Sequence, residues 1–403
     1  MKAKPIDISK SEVFEAWKRV KANKGCAGVD QVSLDSFEAD LSDNLYKLWN
    51  RMASGSYFPS AVKRVEIPKI DGGVRPLGIP TIYDRIAQEV VRARLAHEIE
   101  PIFHEDSYGY RAGKSAIDAV KTARQRNFEF DWVLDVDIRQ FFDSIRHDLL
   151  MKAVVHQARE SWVVMYVERF LKAPTQHADG RLEDNSCGTP QGGVISPLLA
   201  NLYLHYAFDK WISRSYPKVK FERYADDVVI HCRSERQCDS LRQALAGRLT
   251  DCGLELHPQK TKKVYCKDYA RRGLYDQVSY RFLGYTFKPR LCRKEGRCFT
   301  AFSPSPGCQA QQQLSGKLRK SGLFRQTHRS IEELSRMLNP ILRGWINYFR
   351  HFGREGVSRI VYYVEGLLIR WFCRKFRINK RKAIGRLAYL KRSDPRLFGH
   401  WYI

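Results

Sequence analysis

Apolar residues recur at helical spacing over Ser11–Val20 and again over Ser33–Leu48, with Ser and Asp in place as caps, so two helices are expected near the start of the chain. Ser54-Gly55-Ser56-Tyr57-Phe58-Pro59 interrupts that pattern, and Val62 to Pro68 then alternates as a half-buried strand does. Ile70-Asp71-Gly72-Gly73-Val74 predicts a hairpin turn, with Arg75 to Pro80 as the return arm. Helical spacing resumes over 81–100 and 115–126, Trp132 to Ile138 predicts a strand, and 146–157 and 160–172 predict helices. A Gly-rich loop precedes a helix over Leu198–Ser213; Lys220 to Cys232 predicts strand–turn–strand, 235–252 a helix, and short strands follow to about residue 288. After Pro304-Ser305-Pro306-Gly307 the pattern is helical, over roughly 308–320, 329–350 and 355–378. A mixed α/β body ahead of an all-helical piece is therefore expected, with no internal repeat and no low-complexity tract.

The chain has 403 residues, room for two or three domains at roughly 150 residues each. At 43% hydrophobic and 12% aromatic it can fill real cores, which excludes wholesale disorder. No run of about 18 apolar residues exists, so an integral membrane protein is excluded. Met1 to Lys10 carries Asp7 and lacks an apolar stretch, which fits neither a secretory signal nor an acid-poor transit peptide; a cytoplasmic, bacterial-type location is expected. The ten cysteines include no Cys-x-x-Cys pair, which argues against a structural zinc site.

Charge adds a partner class. The formal net charge is +26, and residues 291–403 hold 24 Lys/Arg against 6 Asp/Glu, leaving +18 there and +8 in the rest. Trp345, Tyr348, Phe349, Phe352, Tyr362, Tyr363, Trp371, Phe372 and Phe376 are interleaved with those bases. Bases neutralise phosphates and aromatic rings stack on nucleobases, so nucleic-acid binding is favoured over a helical domain with a merely solvated charged face.

The acids supply candidate chemistry. Asp135 and Asp137 share one face of the strand Val133–Ile138, opposite Leu134, Val136 and Ile138. An ionised carboxylate in such a strand needs a partner or a metal. In Arg223-Tyr224-Ala225-Asp226-Asp227-Val228 two adjacent acids lie at a hairpin bend, where their repulsion is relieved by a divalent cation shared with a third acid. One strand acid plus a hairpin pair is the minimum set for two Mg²⁺ ions about 3.5–4 Å apart, the arrangement that activates a 3′-hydroxyl and stabilises departing pyrophosphate. A solvated turn is the commoner meaning of an Asp-Asp pair alone; both constellations in one basic protein change the balance.

Tyr224-Ala225-Asp226-Asp227 resembles the catalytic box of reverse transcriptases, and Asp137-Ile138-Arg139-Gln140-Phe141-Phe142-Asp143 the first metal-binding motif of the same palm. Gly188-Thr189-Pro190-Gln191-Gly192-Gly193 through Leu199, Gly253 to Thr261, and Phe282-Leu283-Gly284-Tyr285 are similar to three further motifs in the same order. Gly25-Cys26-Ala27-Gly28-Val29-Asp30, Ile67-Pro68-Lys69 and Arg75-Pro76-Leu77-Gly78-Ile79-Pro80 resemble the group II intron branch, and Leu338 to Phe349 its maturase (X) domain. The resemblance to group II intron reverse transcriptase/maturases runs over nearly the whole chain. With no Cys-x-x-Cys before Ile403, the chain resembles the compact members that lack an endonuclease domain.

The resemblance implies an α+β right-hand polymerase: an N-terminal extension and fingers over 1–115, a palm over 116–290, and a helical thumb and maturase domain over 291–403. It implies that Asp137, Asp226 and Asp227 are catalytic, and that they hold two Mg²⁺ ions (Mn²⁺ as substitute) together with the Ile138 backbone carbonyl. Asp135 is the rival to Asp137, its other role being a hydrogen-bonded structural acid. Lys69 and Arg75 would grip the incoming dNTP triphosphate, and Arg111 the template or triphosphate. Phe142 would exclude a 2′-hydroxyl, with Phe141 as its rival. Gln191 would touch the nascent base pair, and Lys260, or Lys262, would serve as acid to pyrophosphate. The implied partners are group II intron RNA, an RNA template with DNA primer, target DNA and dNTPs, with no membrane and the oligomeric state open. The implied function is RNA-directed DNA synthesis joined to maturase-assisted splicing and intron mobility by target-primed reverse transcription. Two rivals stand beside it: a free-standing reverse transcriptase recruited to DNA repair or defence, and an RNA-binding splicing factor without polymerase activity.

Overall fold

A computed structural model describes residues 6–68, 73–352 and 355–402. Lys69 and the turn residues 70–72 lie outside the described residues. In chain order the strands are β1 (Val62–Pro68), β2 (Val74–Ile79), β3 (Trp132–Asp137), β4 (Thr175–Gln176), β5 (Leu182–Glu183), β6 (Lys220–Tyr224), β7 (Asp227–Cys232), β8 (Lys262–Tyr265), β9 (Tyr280–Phe282), β10 (Tyr285–Lys294) and β11 (Arg297–Pro306). The fold is α+β, as expected. Two compact units interleave along the chain: Met1–Ala119 with Val136–Ile230 and Arg236–Thr261, and Val120–Asp135 with His231–Glu235 and Lys262–Ile403. Among the described residues no helix is long and apolar enough to cross a membrane.

In the first unit, helix Lys10–Ala22 opens with a reciprocal capping box between Ser9 and Glu12 and buries Val13, Ala16, Trp17 and Val20. It packs against helix Ile82–Ile99, which is buried on nearly every side and holds its polar residues by specific bonds. Asp84 accepts from the Thr81 and Tyr57 hydroxyls, both at 2.6 Å, and Gln88 Oε1 accepts from Val194 N at 2.8 Å, anchoring the Gly-rich loop. A small sheet has the order β2-β1-β4-β5; β1 and β2 are antiparallel, Lys63 opposite Ile79 and Ile67 opposite Arg75. The expected helix after the Gly-rich loop forms in three pieces, Ser196–Leu204, a π-turn over His205–Asp209, and Lys210–Ser215. A π-turn inserts an extra residue and often sits at functional sites.

In the second unit, β3 and β8 are antiparallel, with Trp132 opposite Tyr265 and Asp135 opposite Lys262. A second sheet has the order β11-β10-β9, and its long hairpin pairs Tyr285 with Pro306 through Lys294 with Arg297. The segment from residue 291 is therefore not all-helical: its first part is strand, and helices begin at Cys308. Pro304 and Pro306 disguised this strand, because proline is a breaker signal; β11 is an edge strand, where a missing N–H is tolerated. Helices Cys308–Lys320, Ile331–Phe349, Glu355–Phe376 and Lys380–Ser393 follow. Several aromatics proposed as base-stacking are core instead: Trp371 is 0% and Phe372 2% exposed. Tyr362, at 72%, does face solvent.

Candidate active site

The acidic hairpin Tyr224–Asp227 joins β6 to β7 and turns on Ala225, whose φ of +56° is a left-handed conformation that glycine would adopt without strain. Its surroundings over-determine that bend. Arg223, 0% exposed, donates to both carboxylate oxygens of buried Asp209 at 2.7 and 2.6 Å, to Asn201 Oδ1 at 2.9 Å and to the Ala225 carbonyl at 3.2 Å. Asn201 in turn donates to the Gly109 carbonyl at 2.7 Å. Gly109 has no room for a side chain, since a Cβ there would stand 2.5 Å from Ala225 N. The loop 106–109 is stitched to the strand as well, with Tyr108 N donating to Arg223 O at 2.8 Å and Arg223 N to Asp106 O at 2.9 Å.

Asp137 ends β3, and the motif 253–261 clamps its main chain. His257 N donates to Asp137 O at 2.8 Å, Asp137 N donates to Thr261 Oγ1 at 3.4 Å, and Arg139 N donates to Glu255 O at 2.8 Å. Ile138 bridges Leu256. Lys260 is exposed on this same turn, its N–H directed at His257 Nδ1 at 3.4 Å.

Asp137 and Asp226 are close enough to feel each other's charge. Burial pushes the Asp226 carboxyl above its ordinary range and the Asp137 carboxylate pushes it the same way, while the guanidiniums of Arg75 and Arg223 pull it partly back. Arg75, exposed on the β1–β2 hairpin, is thus near enough for its charge to act on Asp226. Asp135 belongs to the other unit, directly across from Lys262 in the β3–β8 ladder, a cross-strand pairing of opposite charges suited to the structural role.

The short helix Phe141–Ser144 follows Gln140, whose φ is +45°. Phe141 is 2% exposed and belongs to the core, whereas Phe142 is half-buried with its ring edge-on to Phe141 at 5.3 Å. The Gly-rich loop lies against this helix through Thr189 N to Phe142 O at 2.8 Å and Gly188 N to Ile145 O at 2.7 Å. On its other side Gly78 N donates to Gln191 O at 2.9 Å, and a Cβ at Gly192 would stand 2.5 Å from Gly78 O, so only glycine lets the backbones meet. Gln191, Gly188, Gln140 and Val74 contribute to the lining of a cavity of about 480 Å³.

Arg111 departs from expectation. Its side chain is 10% exposed, and it donates to Glu100 Oε2 at 3.0 Å, His104 O at 2.7 Å, Ser107 O at 2.9 Å and Glu100 O at 3.2 Å. It ties the loop to the end of the preceding helix and does not offer an open fork to phosphate. Tyr110 next to it was not singled out by the sequence, yet it is 58% exposed, has a φ of +56°, and lies 6.1 Å from Tyr224. Burial and the charges of Tyr224 and Asp226 raise its hydroxyl's pKa. Nor did sequence single out Arg223, Asp209 and Asn201, whose joint role exists only once helix and hairpin are packed.

The acids fit a divalent cation in one respect: two carboxylates held in mutual repulsion gain from a cation between them. Among the described residues no three His, Cys, Asp or Glu side chains form a ready-made cage. A cation held by few carboxylates completes its shell with water or substrate oxygens.

Residues 67–287 match the family described as reverse transcriptase (RNA-dependent DNA polymerase), and residues 311–389 match the group II intron maturase-specific domain. Protein YkfC of Escherichia coli is 32% identical over 70% of this chain and 81% of its own length. Group II intron-encoded protein LtrA of Lactococcus lactis is 34% identical over 54% of this chain, which spans only 35% of that relative. A solved telomerase from Candida albicans aligns over 85% of this chain and 64% of its own, at 12% identity and a TM-score of 0.45, a likeness too slight to argue from. The chain belongs to the reverse transcriptases, RNA-directed DNA polymerases that depend on a divalent metal, and carries the maturase-specific domain of the group II intron proteins.

Proposed function

We propose that this chain extends a DNA primer on an RNA template and also binds group II intron RNA to promote splicing and target-primed mobility. What supports the polymerase reading is the acidic hairpin Tyr224–Asp227 within reach of the charges of Asp137 and Arg75, in a segment that matches the reverse transcriptase family. Asp137, Asp226, Asp227 and the Ile138 carbonyl would hold two Mg²⁺ ions, which when bound activate the primer hydroxyl and offset charge on the leaving pyrophosphate. Arg75 and Lys69 bind triphosphate oxygens, Phe142 meets the sugar face, Gln191 abuts the new base pair, and exposed Lys260 delivers a proton to pyrophosphate. The proposed division is fingers to residue 115, palm to 290, and thumb with maturase domain beyond. The partners are intron RNA, template with primer, target DNA and dNTPs.

The test is single-nucleotide extension of a DNA primer annealed to RNA, titrated with Mg²⁺ and then Mn²⁺. Saturable extension in Mg²⁺ with Mn²⁺ substituting supports the reading; no extension in either metal overturns it.

A further inference from the structure

Helices Cys308–Lys320 and Glu355–Phe376, with the single turn Leu323–Arg325, enclose a cavity of about 500 Å³ in the second unit. Arg319, Arg325, Arg370 and Arg374 line it, with Tyr363 and Leu367 among them. Tyr363, Leu367, Arg370 and Arg374 fall on one face of their helix at spacings of four, three and four. Arg319 Nε donates to the Tyr363 hydroxyl at 3.1 Å, fixing that ring at the rim. No carboxylate lines the cavity, and among the described residues none of the four guanidiniums is paired with an acid. Glu365, on the same helix, is turned to Lys391 at 3.2 Å.

Like charges four residues apart destabilise a helix, and converging cations repel. An arrangement of this kind, left without its own acids, suits an anion from outside. The guanidinium fork fits phosphate oxygens two at a time. The cavity's volume narrows the choice further. About 500 Å³ is room for one nucleotide and far too little for a duplex, whose phosphates would stay at the rim. A single nucleotide swung out of its stack presents a base to the apolar wall and phosphates on either side to the bases.

We propose that this cavity takes one unpaired nucleotide of structured RNA, its base against Leu367 and Tyr363 and its flanking phosphates on the arginines. This rests on the reading that the maturase segment binds RNA, and deepens it from a diffuse basic surface to a defined pocket.

The experiment uses the full chain and two RNA hairpins identical except for one unpaired nucleotide in the stem of the second. The bulged hairpin binds roughly tenfold tighter or more, the scale of one or two charge-assisted hydrogen bonds. The double variant Arg370→Ala with Arg374→Ala, both exposed positions, loses that preference while still binding the paired hairpin. In the unaltered chain, 4-thiouridine at the bulge crosslinks to peptides containing Tyr363 or Arg325. Equal affinity for the two hairpins, an undiminished preference in the double variant, or crosslinks mapping elsewhere overturns the pocket and leaves general RNA binding standing. No affinity for either hairpin overturns both.

Discussion

Behind the acidic hairpin, Arg223 and Asp209 form an ion pair that is 0% and 1% exposed, and this pair sets a measurable penalty on its own disruption. In Asp209→Ala the guanidinium would keep its bonds to Asn201 Oδ1 and Ala225 O, but its Nε and one terminal nitrogen would lose the carboxylate oxygens they meet at 2.7 and 2.6 Å. Removing one partner of a buried pair strands the other charge and costs about 3–5 kcal/mol. That is a fifth or more of a domain stability of about 5–15 kcal/mol. Urea unfolding of wild type and Asp209→Ala at 25 °C gives the difference. The double variant Asp209→Leu with Arg223→Met recovers much of it, because two apolar side chains replace two stranded charges. Extension does not recover with it, since Ala225 O and Asn201 Oδ1 still lack the guanidinium that holds the hairpin bend. A loss below about 1 kcal/mol for Asp209→Ala, or full polymerase activity in the refolded double variant, would refute the claim that this pair shapes the hairpin.

Three further outcomes follow from named contacts. Phe142→Val raises ribonucleotide incorporation relative to deoxynucleotide in single-insertion assays, whereas Phe141→Val, at a site 2% exposed, chiefly lowers stability by about 2–4 kcal/mol; a ratio that moves with Phe141 alone reverses the assignment. Burial, with Lys391 adding to it, pushes His400 down to about 4, below its unfolded value, so stability is fully present above pH 6.5 and falls toward pH 4 by up to about 1.4 kcal/mol per pH unit; His400→Phe flattens that decline in urea midpoints, and an unchanged decline contradicts it. Reversing exposed Arg377, Lys380, Arg381 and Lys382 flattens the log–log salt slope of RNA binding by roughly 3 if each meets a phosphate, with extension on preformed primer–template retained at low salt; an unchanged slope leaves those bases as a solvated face.

The residues chosen for that last set show where sequence sufficed and where it did not. Lys375 looks like its basic neighbours in the chain, but its ammonium donates to Thr327 O at 2.9 Å and to Arg329 O, so reversing it would break the fold and not only the surface charge. Arg111 misled for the same reason: sequence reports a cation, not whether carbonyls of its own loop have captured it. Nor would cutting the chain at residue 290 isolate a polymerase, because residues 120–135 and 231–235 pack with 262–403 and the cut would fall within β10. By contrast, the acid motifs were legible because strand alternation and a tight turn dictate where carboxylates point. The reason for Gly192 was not legible: its backbone meets Gly78 O, a contact between two segments far apart in sequence. The long helices after residue 307 carried their 3.6-residue period openly, whereas helix Lys380–Ser393 buries only Ala383 and Leu387 and left little periodic signal.

In the proposed mechanism Asp137 and Asp226 together hold the metal for DNA synthesis on RNA. This is tested most directly by primer extension with Asp137→Ala, Asp226→Ala and Asp135→Ala at saturating Mg²⁺, with RNA binding measured on the same preparations. The first two variants abolish extension while RNA affinity stays within about twofold, because affinity comes largely from the basic surface, and Asp135→Ala still extends. Wild-type extension by Asp226→Ala, or loss with Asp135→Ala but not with Asp137→Ala, would contradict it.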